Sequence, residues 1–505
     1  MKKPEYQNKF FSYYFIILVC SLVIFLSSSS QASTLYKVRF GDFQDKLRVV
    51  FEFNGSFSYE PNEKTSEIKI WFSEAKAGEA INNYNEINDI VVRNIILEPQ
   101  EGGMIATIPL TEPVQYTIFH LNNPPRLVVD FDHSFLRIST VKTITPGLDY
   151  LEIRKGNNSG LIKGTALKLD LEKMTIRPAL GQKDEPNIVA SFLGLFSPWG
   201  QDNQPRNFYL ERVSETSRRE KALAAVNGSF FQPNGTPLGA LVIDQTVVSS
   251  PIYDRSAIFI DKDNQPYIDS VSVSSYFLLD EKRYNISEIN CPQTGAGIIM
   301  YTPVWGEKTR TNTFGLELAI TNSHIKAINT GNSDIPSNGY VLSIRGPALE
   351  NINYLAKVGD EISTIVNIIP YNSSPKNIIQ LISGGPRLLK DSQPYVSKHE
   401  EKFQGDVAKN RAARTAVGIT KENKLLLVTI DGLPRHRRVD KTSDSIGATL
   451  EELSSLMLSL GATNAMNLDG GSSSTMVINH KIVNQPCTGW ERKVSNSLLV
   501  LPRAR

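Results

Sequence analysis

Two aspartates close apolar runs in the C-terminal part of the chain, Asp431 in "LLLVTIDG" and Asp469 in "NAMNLDGGSSSTMVIN", and each is followed at once by glycine. Carboxylates at strand ends can activate water or stabilise an oxocarbenium-like sugar carbon. Three arginines stand in comparable places: Arg345 in "LSIRGPALENI", Arg414 in "NRAARTAVGIT" and Arg492 in "ERKVSNSLLV". Each offers a planar guanidinium fork that suits phosphate oxygens. Together the two kinds of group suit a substrate with an anionic part, held by the cations, and a centre where positive charge develops beside a carboxylate.

The residues after Asp469 form a longer turn than a hairpin requires. Gly470 and Gly471 can take positive φ and aim successive N–H groups at one point, while Ser473, Ser474 and Thr475 add hydroxyl donors. The expected product is a concave site for an anion or a sugar, with Asn467 and Asn227 presenting carboxamides to sugar hydroxyls. Plainer readings stand beside this one. Asp469 can merely hydrogen-bond its own turn, and arginines are mostly surface groups. Phe230 and Phe231 fit a core as well as a sugar face. His480 falls in a hairpin turn, so a histidine triad has little support. The carboxylates match no EF-hand or two-metal spacing. No cofactor is assigned, and a divalent cation stays open.

The elements that must position these residues are mostly strands. Five segments, beginning at Val226, Leu342, Ile382, Asn410 and Asn464, end an apolar strand in Gly, Asn, Asp or Arg, which suggests strand ends converging on one site. Helical period is clearest at residues 450–460. There Leu450, Leu453, Met457 and Leu460 share a face, Thr449 and Glu452 form a capping box, and Gly461 offers a stop. Mixed strands with isolated helices predict an α+β domain over residues 151–505. Residues 33–135 differ, with short runs such as "RVVFEF", "IKIWF" and "RLVVDF" between Gly, Asn and Pro, the pattern of a small all-β sandwich. Residues 136–150 read as a linker.

Two resemblances follow from these motifs. "NNPPRLVVDFD" and "LRVVFEF" resemble the AMIN domain, a module of exported bacterial proteins associated with the cell wall. In the second region "VNGSFFQPNGTPLGALVID", "YTPVWG", "SGGPRLL", "RTAVGIT", "LLLVTIDG" and "LGATNAMNLDGGSSSTMVIN" resemble, in order, the phosphodiester glycosidase family. That resemblance implies a strand-rich domain hydrolysing a sugar 1-phosphodiester, which releases the sugar and leaves a phosphomonoester on the acceptor. Two departures stand out. Ser472 occupies a place where the family often has a third Gly, and Leu433 one where it often has Arg. Positive charge appears instead at Arg435, Arg437 and Arg438.

Composition bounds the partners. Lys and Arg number 54 against 52 Asp and Glu, a net charge of +2 that gives no broad basic field for nucleic acid. Lys2 and Lys3, an apolar run over residues 15–26 and Ser30-Gln31-Ala32 have the three regions of a secretory signal peptide, residues 1–32, although an uncleaved anchor is the competing reading. Export, to the periplasm, the cell wall or the medium, permits a bond between Cys291 and Cys487 without requiring it. The expected partners are a phosphate-linked saccharide substrate and, through the first domain, cell-wall or envelope glycan. A non-catalytic carbohydrate-binding protein and a metal-dependent phosphodiesterase remain the alternatives.

Overall fold

Strand Lys46–Phe53 alternates sparingly and is buried along most of its length, because it is the middle of a five-stranded sheet. Its neighbours are Ser33–Phe43 and Pro125–Asp132, and across the second pair Arg48 and Asp130 stand in register and share two hydrogen bonds of 2.7 Å. Glu67–Ser73 shows the opposite pattern, with Ile68, Ile70 and Phe72 inward and the residues between them half-exposed, as a strand with one wet face requires. It lies in a second five-stranded sheet with Ser58–Lys64 and Gly103–Pro109. Phe51 of one sheet meets Phe72 of the other at 5.6 Å between ring centres, which closes a β-sandwich. The computed structural model describes residues 32–182, 208–434, 440 and 442–503, so the signal-like segment and the arginines after Leu433 lie outside the described residues.

Within this first unit Asp42, Asp89 and His133 bring three potential ligand atoms within 4.8 Å of one another. His133 is buried with Nε2 3.0 Å from Asp89 Oδ2. Burial alone would pull the imidazole pKa down, but the hydrogen bond to Asp89 and its charge outweigh that and raise it. The arrangement is that of a carboxylate–imidazole pair, in which a metal would have to displace the ring proton that Asp89 favours.

The second unit, residues 136–505, is strand-rich with isolated helices, an α+β fold. Its largest sheet has eight strands, in the order Phe135–Thr145, Leu148–Asn157, Gly160–Leu169, Leu425–Ile430, Arg414–Thr420, Ala462–Asn467, Arg387–Lys390 and Gln393–Pro394. Residues 136–150 are therefore not a linker. Phe135–Thr145 is an edge strand with most side chains in water, so its polar residues disguise it. The two cysteines are not bonded to each other.

Leu425–Ile430 is buried on both faces, and its alternation divides the core. Leu425 and Leu427 pack with Leu167, Val417 and Met466 against Val226, Met476 and Leu498 of a five-stranded sheet. Leu426, Val428 and Ile430 face the other way, against Leu453 and Met457 of helix Leu450–Ser459. That helix begins as its sequence suggests. Glu452 N–H donates to Thr449 Oγ1 at 3.2 Å, and Thr449 N–H donates to the Glu452 carboxylate at 2.9 Å. Its inward face is Leu450, Leu453, Leu456 and Met457, and Gly461 at φ 89° turns the chain into Ala462–Asn467.

Candidate active site

Strands Leu425–Ile430 and Ala462–Asn467 each pair antiparallel with Arg414–Thr420, which lies between them. They are therefore parallel to each other, and Asp431 and Asp469 leave the same edge of the sheet. Both turns close on Ala413. Gly471 N–H donates to Ala413 O at 2.8 Å, and a Cβ on Gly432 would stand 2.7 Å from Ala413 N. Packing against Ala413 therefore excludes a side chain at Gly432 and leaves little room for one at Gly470, where a Cβ would stand 3.0 Å from Ala413 O.

On the face that packs against the five-stranded sheet, the apolar layer ends in a polar tier. Thr165 and Thr429 share a hydrogen bond at 2.8 Å, and Thr415 Oγ1 donates to Asn227 Oδ1 at 2.7 Å. Asn227 is wholly buried at the end of Ala224–Asn227. Its Oδ1 also accepts from Thr475 N–H at 3.1 Å, and its Nδ2 donates to Asp469 O at 2.6 Å. This carboxamide does not await a sugar, as the sequence reading expected. It holds both ends of the turn that carries Asp469, because the strand end points it into protein.

Asp469 is half-buried, with its N–H on Gly228 O at 3.1 Å and its Oδ1 accepting from Gly470 N–H at 2.9 Å. The turn differs from expectation in two respects. Only Gly471 has positive φ, at 61°, while Gly470 is extended at φ −125° and is glycine because a Cβ would come within 3.0 Å of Ala413 O. The N–H groups do not converge either. Residues 471–473 form a 3-10 turn in which Ser473 and Ser474 N–H donate to Gly470 and Gly471 O. The hydroxyls remain. Among the described residues Ser474 Oγ and Thr475 Oγ1 are buried without partners, as is Asn467 Oδ1, while Asn467 Nδ2 donates to Gly385 O at 3.0 Å. Buried polar atoms left unpaired cost roughly 1–3 kcal/mol each, so they mark where a polar ligand gains most.

The three arginines part company. Arg492 Nη1 donates to Ser473 Oγ at 3.0 Å and Ser472 Oγ at 3.2 Å, with its guanidinium 5.0 Å from the centre of the Phe231 ring. It is exposed beside the turn. Arg414 is buried and spends Nε on Ala448 O and both terminal nitrogens on Val407 O and Asn410 O. Thr415 faces Asn227, so Arg414, one residue earlier, faces the opposite side of the strand, and its expected phosphate role is replaced by a structural one. Arg345 ends Gly339–Arg345 in a separate five-stranded sheet, where it donates to Gln293 O at 3.3 Å and Asn312 Oδ1 at 2.6 Å. The structure does not join it to the turn.

Asp431 is buried, and burial pushes its carboxyl pKa up to about 6, although Gln485 N–H at 2.9 Å, the Asn484 side chain and the charge of Lys163 draw it back. Asn484 links the two aspartates' surroundings. It accepts from Met476 N–H at 2.8 Å and donates to Ser474 O at 3.2 Å. Sequence reasoning missed Asn484, and also Asn496, whose Oδ1 accepts from Ser229 N–H at 2.8 Å. The signal was an Asn between two serines at the very start of a strongly apolar strand, "SNSLLV".

Comparison with known proteins agrees with this region. Residues 314–501 match the phosphodiester glycosidase family. Over 117 residues the chain is 32% identical to the N-acetylglucosamine-1-phosphodiester alpha-N-acetylglucosaminidase of Bos taurus, an alignment covering 21% of this chain and 20% of that protein. Over 128 residues it is 32% identical to the SPbeta prophage-derived protein YomE of Bacillus subtilis, covering 24% and 18%. The chain thus spans about a fifth of the curated relatives it matches. The crystal structure of a hypothetical protein from Synechocystis superposes with a TM-score of 0.58 at 22% identity, over 94% of this chain and 81% of the other, which shows a shared fold.

Proposed function

We propose that this protein hydrolyses the glycosyl C–O bond of a sugar 1-phosphodiester in envelope or extracellular polysaccharide. The observation that carries the reading is the Asp469 turn, clamped by Asn227, with Arg492 resting on its serines. Water gives its oxygen to the anomeric carbon and a proton to a carboxylate. The bond from that carbon to the bridging oxygen breaks, and its electron pair leaves with the phosphate monoester. Arg492 and the turn's hydroxyls receive the phosphate charge. Asp469, on the same turn as those serines, takes the part of the carboxylate that supports the sugar carbon. Asp431, titrating near 6, is suited to accept and release the water's proton.

Hydrolysis in heavy-oxygen water tests this directly. With N-acetylglucosamine 1-(methyl phosphate) as substrate, mass spectrometry should find the label in the sugar. Label in the methyl phosphate would mean P–O cleavage and would replace the glycosidase reading with a phosphodiesterase one.

The reading extends to the first unit, as a sandwich that tethers an exported enzyme to wall glycan. The residues that support it are the AMIN-like strands and the signal-like segment before them. Among the described residues no helix is long and apolar enough to cross a membrane. A chain beginning at Leu136 keeps nearly all of the edge strand Phe135–Thr145. It should retain turnover of the small substrate and lose sedimentation with isolated cell walls. Undiminished sedimentation would refute the tethering role.

A further inference from the structure

Beyond the Asp469 turn, the second unit carries a polar hollow of about 340 Å³, within the range of roughly 300–1,000 Å³ typical of ligand sites. Tyr253, Tyr371 and Tyr395 stand around it, each with 42–54% of its surface exposed. Its charges balance, with Arg387, Lys390 and Lys402 set against Asp254, Glu400 and Glu401. Exposed phenol rings over a neutral, hydrogen-bonding hollow suit a ligand with apolar faces and many hydroxyls. An anion or a cation would find no net attraction there.

The floor of the hollow is rigid. The Glu401 carboxylate is buried and accepts from Ser256 N–H at 3.0 Å, Ser256 Oγ at 2.8 Å and Arg387 N–H at 2.9 Å. A Cβ on Gly385 would lie 2.2 Å from this carboxylate, while Gly385 N–H donates to Asn467 O at 2.7 Å on its other side. One short segment therefore separates the hollow from the Asn467–Asp469 strand end. A ledge also connects the two regions. Phe230, two residues after Gly228, lies 5.5 Å from Phe403, and the Arg255 guanidinium sits 4.0 Å from Phe403 and 5.5 Å from Tyr253.

We infer that this hollow binds neutral pyranose units of a saccharide chain, and that the protein engages an oligosaccharide or polysaccharide rather than a single sugar phosphodiester. The inference deepens the proposed hydrolysis by assigning a subsite for the saccharide chain of its substrate, and it rests on that reading only for the link to turnover. The test uses the full chain, calorimetric titration with chitotetraose and cellotetraose and their monomers, and two single variants, Tyr371→Ala and Tyr395→Ala. At least one tetramer should bind the unaltered protein at least tenfold more tightly than its monomer. Each variant should weaken that binding tenfold or more and leave turnover of N-acetylglucosamine 1-(methyl phosphate) unchanged. Equal binding by the variants, or no tetramer binding at millimolar concentration, overturns the subsite whatever the enzyme does to the small phosphodiester. Tyrosine-dependent tetramer binding without turnover of that phosphodiester supports the subsite and counts against the hydrolysis.

Discussion

Asp469→Asn should lower kcat for a sugar 1-phosphodiester by about two to four orders of magnitude, with KM changed far less. The substitution is nearly isosteric. Its side-chain oxygen can still accept the Gly470 N–H that Asp469 Oδ1 holds at 2.9 Å, and Asn227 still finds the backbone oxygen of residue 469. The turn, the serines and Arg492 should therefore stay in place. Only the negative charge beside the sugar carbon is lost. A melting profile equal to that of the unaltered protein, together with the drop in kcat, separates chemistry from folding. Near-normal turnover in the folded variant would remove Asp469 from the mechanism and leave its carboxylate as an Asx contact to its own turn.

The carboxylate pair was legible before any coordinates because its signal is local. An apolar strand followed by Asp-Gly has little choice but to place the carboxylate at the strand end, and "LLLVTIDG" and "NAMNLDGG" both do so. The capping box at Thr449 and Glu452 is local in the same sense. The failures share one cause, the direction in which a side chain leaves its strand. Arg414 and Thr415 are adjacent, yet one is spent on carbonyls beneath the sheet and the other reaches Asn227. Only the partner layer decides which face is which, and that layer comes from residues 224–227 and 496–502, far away in the chain. Asn227 was read as a ligand contact for the same reason. A buried carboxamide at a strand end has the same sequence signature whether it faces a ligand or clamps a neighbouring turn. Gly470 shows a third limit, since glycine chosen for close approach to Ala413 O and glycine chosen for positive φ are the same letter.

Asp431→Asn should change activity and stability in opposite directions, and the sign of the second change follows from the burial of this carboxyl. Its pKa in the folded chain is about 6, against an ordinary value of 3.8, so between those values the folded state binds the proton that the unfolded state has released. Stability from this group is thus fully present below 3.8 and is lost as pH rises through about 6. The gap corresponds to roughly 3 kcal/mol. Asparagine carries no such titration and can still accept the Gln485 N–H, so the variant should equal the unaltered protein near pH 4 and exceed it by up to about 3 kcal/mol near pH 8 in denaturant unfolding. Turnover should fall by about two orders of magnitude, and the rise in rate through pH 6 expected of an ionised proton acceptor should vanish from the profile. A group kept charged despite desolvation, at a cost in stability that its removal relieves, fits a working carboxylate. If Asp431→Asn were instead less stable at pH 8, the charge would be serving the fold, through the hydrogen bonds from Gln485 N–H and Asn484 and, after them, attraction to Lys163, and the proton-accepting role would pass to Asp469 alone.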